Sequence, residues 1–366
     1  MALVDKEYNL FYVSEIKGRY VHYDLINSFL NELPNTFKNE VIGKSVRGEE
    51  VRSITFGQGP NKILMWSQMH GNESTTTKAV LDLLRYLEHN DELKRTCTLR
   101  IIPILNPDGA RDYTRVNANG IDLNRDAQDL SQPESIILKQ QFDSFSPNFC
   151  FNLHDQRTIF NVGDTNKPAT VSFLAPAFDE ERNNSPSRAR SMQLIAAMNE
   201  TLHGLIPGQI GRYDDGFNAN CVGDAFQMKG IPTILFEAGH YPDDYSREHT
   251  RMYIFNALLK AIATIADNTL DHYKVDEYLA IPENSKQFVD ILIYNYPSGK
   301  LKGPGIENGI AVQYKEVLEN AQLLFKPELH EFEKIPQVVF GHKMIDFSND
   351  KDLNWLKKHG ILKLLN

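Results

Sequence analysis

Four short apolar runs each pass directly into a polar cluster, and this constrains the chain more than any other feature. The runs are Ile63–Met65 with Trp66, Leu99–Leu105, Phe149–Leu153 and Thr233–Phe236. Each is continuous instead of alternating, the pattern of a strand covered on both faces. Between them apolar residues recur at helical spacing. Ala79, Val80, Leu83, Leu84 and Leu87 do so after a Ser/Thr-rich start at Ser74–Thr77, and so do Met192, Ile195, Met198 and Leu202, and Tyr253, Ile254, Ala257, Leu258 and Ile262. Strands alternating with helices predict an α/β fold, a mostly parallel sheet with helices on both faces. The runs end in Gln68-Met69-His70-Gly71-Asn72-Glu73, Asn106-Pro107-Asp108-Gly109, His154-Asp155-Gln156 and Glu237-Ala238-Gly239-His240. Ligands in open α/β sheets bind beyond the carboxyl ends of the strands, so that edge is the candidate site.

The 366 residues suffice for one enzyme-sized domain and an appendage. We place a catalytic unit at 1–272 and a small C-terminal α+β unit at 273–366. The latter shows strand-like Phe288–Tyr296, Gly309–Tyr314 and Gln337–Phe347, then a helix at Asp350–His359 between the cap Asn349 and the stop Gly360. His330-Glu331-Phe332-Glu333-Lys334 lacks the second histidine of HExxH and reads as surface. A formal net charge of −9 argues against nucleic acid as a partner. No apolar run reaches the roughly 18 residues of a membrane helix, so no membrane partner is expected. The first residues show no basic stretch leading into an apolar core, which points to the cytoplasm. Cys97, Cys150 and Cys221 are odd in number and far apart, as expected of reduced thiols. Oligomeric state is left open.

His70 and Glu73 stand as HxxE, so imidazole and carboxylate can reach one ion from a single turn, with His154 as the distant third ligand. Three protein ligands and a remaining position are the pattern of a catalytic zinc. Nitrogen and oxygen donors suit zinc best, with cobalt or manganese able to substitute. A ligating histidine needs its other ring nitrogen held. Asp122 is the candidate for His70, its alternative being a plain turn residue after Gly120.

The run from Asn106 to Asp126 contains NPDG and then RxNxxGxDLNR, with His-Gly-Asn-Glu upstream and Leu-His154-Asp and Phe-Glu237-Ala downstream. In order and spacing, across about residues 40–270, these blocks closely resemble the signature of the M14 zinc carboxypeptidases. The resemblance implies a mixed eight-stranded sheet between helices and one Zn2+ per chain on His70, Glu73 and His154. It implies that Asp122 supports His70, that Arg115 steadies the oxyanion, and that Asn124 and Arg125 grip the substrate's terminal carboxylate. It also implies that Glu237 activates the zinc-bound water. The expected activity is removal of a C-terminal residue from a peptide. The alternative is an M14-type deacylase or amidase acting on an acyl-amino acid or a cell-wall peptide. Either substrate presents a free carboxylate. The family's mobile tyrosine falls in Arg212–Phe217, making Tyr213 its candidate, with Tyr241 a second tyrosine near the site. The pocket that selects the side chain lies near Asn220–Asp224, and Gly163–Arg190 reads as a loop over the site.

Overall fold

The computed structural model describes residues 2–3 and 6–365. Met1, Val4 and Asp5, on which the reading of the amino-terminal stretch partly depends, lie outside the described residues. Fifteen strands occur among the described residues. They are β1 (Phe37–Lys44), β2 (Glu50–Gly57), β3 (Asn61–Ser67), β4 (Cys97–Ile102), β5 (Phe149–Asp155), β6 (Asn161–Val162), β7 (Val171–Leu174), β8 (Ile210–Arg212), β9 (Thr233–Ala238), β10 (Asn284–Ser285), β11 (Phe288–Tyr294), β12 (Leu301–Gly303), β13 (Ile306–Glu319), β14 (Gln322–His330) and β15 (Phe340–Asp346).

Eight strands form one mixed sheet in the order β1-β2-β4-β3-β5-β9-β7-β8. Its centre, β4-β3-β5-β9, is parallel throughout, while β1, β2 and β7 join antiparallel neighbours. All seven residues of β5 and all six of β9 are buried, because helices cover both faces. On one face Thr75–Leu87, Pro186–His203 and Glu248–Ala266 build the larger core with Ile63, Phe151 and Phe236. On the other, Pro133–Phe145 and Val222–Met228 enclose Trp66 and Cys150, with Phe142 stacked on Phe226 at 4.0 Å. The parallel register sets His154 opposite Glu237 at the sheet's carboxyl edge.

The turn after β3 is held in a demanding conformation. Gln68 adopts φ 45°, costly for a residue with a side chain, and its amide is fixed by Val21 O, Gly71 O and the Thr77 hydroxyl at 2.8–2.9 Å. Gly71 lies against the backbone of Gly109, where a Cβ would approach carbonyl carbon to 1.9 Å. The HxxE turn and the NPDG turn are thus packed backbone to backbone.

The expectations differ from the fold in several places. The run from Leu99 leaves the sheet at Ile102, because Leu105 N and Asn106 N bond back to Ser67 O and Gln68 O. Ser74 spends its hydroxyl on Arg19 O at 2.6 Å and does not cap the helix behind it. Gly163–Arg190 is no single loop. It contains β7, an interior strand whose four residues are all buried, and the start of the Pro186–His203 helix. Ser172 concealed that strand, since its hydroxyl is satisfied internally by Gln156 and Asn284. His330 ends a strand, β14, paired along its length with β13.

Residues beyond 272 form a second sheet, β12-β13-β11-β15 with β14 on β13, against which the helix Asp350–Lys358 packs. Asn349 caps that helix through the amides of Lys351 and Asp352. This sheet is tied closely to the segment following β5. Phe288 N donates to Ile159 O at 3.1 Å, His342 Nε2 donates to Thr158 O at 2.7 Å, and β10 pairs with β6. No helix among the described residues is long and apolar enough to cross a membrane.

Candidate active site

His70 stands on the turn after β3, Glu73 one turn on, and His154 at the end of β5. The Nδ1 atoms of the two histidines are 3.1 Å apart. Each faces one oxygen of Glu73, His70 at 2.9 Å and His154 at 2.8 Å. All three side chains are buried, and among the described residues they are the one group of this kind able to hold a metal. Tetrahedral zinc with bonds of about 2.0–2.1 Å sets its ligands about 3.3 Å apart, so two nitrogens and a carboxylate converging at this spacing fit it. A buried carboxylate facing two imidazoles also supplies the negative charge a cation needs there. Burial alone would push the Glu73 carboxyl up, yet the two rings hold it well below the ordinary range.

Asp122 receives His70 Nε2 at 2.9 Å and holds the ring with Nδ1 toward Glu73. Burial opposes its ionisation, but the His70 ring and the Arg115 guanidinium keep its carboxyl below the usual range. His154 Nε2 is buried without a protein partner. Arg115 is half exposed, with Nε and Nη2 at 3.1 and 3.0 Å from Asp122 and Nη1 at 3.3 Å from Glu73. Glu237 sits at the end of β9, buried, with Oε2 unpartnered. Burial first, then Glu73 and Asp155, push its carboxyl well above the ordinary range. A buried carboxyl whose charged form is disfavoured in this way is suited to taking up a proton.

His70, Glu73, Arg115, His154 and Glu237 line one cavity of about 350 Å³ together with Asn124 and Arg125. Asn124 Oδ1 accepts from Val222 N at 3.2 Å, and Arg125 Nη1 donates to Asn124 O at 2.7 Å, which fixes the loop beyond Asp122. Cys221, Gly223 and Asp224 form the wall beside Arg125. Burial raises the Asp224 carboxyl to about 6. Tyr213 lines the same cavity, its ring 5.4 Å from Phe160. Tyr241 does not line it; its ring packs away from the cavity, against His249 and Tyr253.

Several residues here escaped the reading of the sequence. Asp155 accepts from Thr75 N and Oγ1 at 3.0 and 2.6 Å, so the residue after His154 anchors the helix behind Glu73. Its place beside a predicted ligand was the available signal. Phe160 and Lys286 also line the cavity. Lys286 comes from beyond residue 272 and carries no motif.

Residues 22–160 match the sequence profile of the zinc carboxypeptidase family. The chain is 28% identical over 150 residues to an uncharacterised protein of Zymomonas mobilis, covering 38% of this chain and 39% of that protein. It is 26% identical over 179 residues to carboxypeptidase D of Mus musculus, covering 40% of this chain and 13% of that protein. The matched region thus spans well under half the length of either relative. In fold the chain is similar to a metallo-carboxypeptidase from Burkholderia cenocepacia, with TM-score 0.53, 19% identity and 67% and 69% of the two chains covered. It is likewise similar to carboxypeptidase A from Helicoverpa armigera, with TM-score 0.53, 17% identity and 68% and 74% covered. Over residues 22–160 the chain is thus similar to the zinc carboxypeptidase family, and over about two thirds of its length it shares the fold of metallo-carboxypeptidases.

Proposed function

We propose that the protein is a zinc-dependent exopeptidase that removes the C-terminal residue of a peptide. The observation that carries this reading is one cavity holding the His70–Glu73–His154 cluster, buried Glu237, and the Asn124–Arg125 pair. When bound, zinc supplies Lewis acidity, lowering the pKa of water towards about 7 and polarising the scissile carbonyl. Glu237 takes the proton of the attacking water and passes it to the leaving nitrogen. Arg115, held by Asp122, offers a fixed positive donor to the oxyanion that develops on the carbonyl. Arg125 makes no ion pair among the described residues, and its planar fork suits the terminal carboxylate of the substrate.

His154→Ala removes one of three ligands. Elemental analysis is expected to give about one zinc per chain for the parent protein and little for the variant. Full zinc retention in His154→Ala overturns the ligand set.

Anchoring of the carboxylate is tested with paired substrates. Asn124 and Arg125 lie just past Asp122, so one loop spaces the metal from the anchor. Only a carboxylate one residue beyond the scissile amide fits both. Amidating the substrate's C-terminus should lower kcat/KM on the order of a hundredfold, the size expected when one partner of a desolvated charge pair is removed. Arg125→Ala should lose a similar factor on free acids and much less on amides, since both changes remove the same pair. Equal cleavage of acid and amide by the parent protein refutes the anchor. Acyl-amino acids cleaved in preference to peptides of equal length would assign the site to a deacylase.

A further inference from the structure

We propose that Arg157 and Lys286 form a cationic subsite on the acyl side of the scissile bond, so that the preferred substrate carries a carboxylate on the group preceding its C-terminal residue. This rests on the exopeptidase reading and extends it to substrate class.

Besides the His-Glu-His cluster, two groups of residues line the cavity. One is made by Asn124, Arg125 and the Cys221–Asp224 turn, joined by the bond from Val222 N to Asn124. The departing residue occupies that side, next to Arg125. The proposal gives the acyl portion the other group, Gln156, Arg157, Ile159, Phe160 and Lys286. Arg157 and Lys286 are both exposed, and neither forms an ion pair among the described residues. Lys286 Nζ lies 5.9 Å from the centre of the Phe160 ring, an apolar floor beneath the charge.

The two cations ride on a braced frame. Arg157 precedes Thr158, whose carbonyl accepts from His342 and whose hydroxyl accepts from Gln313 at 2.7 Å. Lys286 follows β10, which pairs with β6, and Gln287 exchanges two hydrogen bonds with Asn161 at 3.1 and 2.7 Å. Both backbones are therefore fixed by the C-terminal sheet. The carboxylates on this side are already engaged. Asp155 is held by Thr75, Asp214 accepts from Gly216 N at 3.1 Å, and Glu283 pairs with Arg212 at 2.8 Å. An exposed lysine over an aromatic ring and an arginine without an ion pair among the described residues line the same cavity, and with the neighbouring acids engaged they suit an anion.

The test uses zinc-loaded Glu237→Gln protein and calorimetric titration with acetyl-Glu-Ala and acetyl-Gln-Ala, identical but for the charge. The glutamyl peptide should bind about five- to tenfold tighter, the size two partly exposed charge pairs supply. The preference should shrink as ionic strength rises from roughly 0.02 to 0.5 M. Adding Arg157→Ala and Lys286→Ala should bring the ratio near one, and Arg157→Glu with Lys286→Glu should invert it. A matched pair, glutaryl-alanine and pentanoyl-alanine, shows whether the carboxylate is read on an acyl-amino acid as well as on a peptide. Equal binding of the two peptides, no measurable binding of either, or a preference that survives the double alanine variant overturns the proposal. Failure of the exopeptidase reading registers separately, as indifference of the same protein to amidation of the alanine carboxylate.

Discussion

Glu237→Gln is expected to lower kcat by about 10⁴-fold while leaving the fold and one zinc per chain in place. The substitution keeps the size and burial of the side chain but removes its ability to take and return a proton. General acid–base catalysis supplies about 10²–10⁴-fold, and in the proposed mechanism one carboxyl serves both the attacking water and the leaving nitrogen. Glu237 lies opposite His154 across the β5–β9 register, near the cluster without belonging to its three ligands. Its Oε2 is buried in the cavity wall without a partner among the described residues, so an uncharged side chain of the same shape fits there. The parent protein and the variant should therefore unfold at nearly the same temperature. Turnover, metal content and thermal midpoint form a decisive set. Lost activity with retained zinc supports the proton-transfer role. Lost zinc would make Glu237 a ligand and move the base elsewhere, and retained activity would remove it from the chemistry.

The candidate site was legible because its groups come in short runs at strand ends. A parallel sheet forces each buried strand to be continuously apolar, so the boundary where His70, Asn106, His154 or Glu237 begins stands out. The antiparallel edge gave a weaker signal. β2 buries Val51, Ser53, Ile54 and Phe56 against partly exposed neighbours, and β1 buries only Phe37. No continuous apolar run marks either strand. β7 was obscured for another reason, a buried serine in a four-residue strand. Lys286 reaches the cavity, and Glu316 reaches Arg19, from far along the chain. Their positions follow from docking of the second sheet, for which no local pattern exists. Tyr241 shows the converse error: adjacency in sequence to a strand end did not bring its ring into the cavity, because the chain turns at Tyr241–Asp244 and packs it on the Glu248–Ala266 helix.

Glu316→Ala is expected to destabilise the whole protein by about 3 kcal/mol, near the lower end of the cost of stranding one partner of a buried ion pair. Glu316 projects from β13 of the C-terminal sheet, ion-paired with Arg19 and accepting from the Tyr113 hydroxyl at 2.5 Å. Arg19 is buried, and Arg247 nearby is also buried and charged. Removing the carboxylate leaves two guanidiniums in a low-dielectric junction, with Asp155, 3.8 Å from Arg247, the nearest remaining acid paired with them among the described residues. Glu316 retains a quarter of its side-chain exposure, which admits water and keeps the expected cost at the low end. A loss of this size should lower the thermal midpoint by about 4 °C. Acid provides an independent check. Burial would raise the Glu316 carboxyl, but Arg19 and Tyr113 hold it below its ordinary value. Its contribution is then fully present above the unfolded pKa of about 4.3 and disappears as pH falls through the folded pKa. The stability curves of the parent protein and Glu316→Gln should accordingly run apart at neutral pH and converge in acid. Replacing Arg19 and Glu316 together by methionine should recover much of the loss, since no buried charge is then stranded. A midpoint unchanged in Glu316→Ala would mean that solvent already screens the junction. The C-terminal sheet would then rest on the hydrogen bonds around Thr158 and Asn161, the same bonds that brace the segments carrying Arg157 and Lys286.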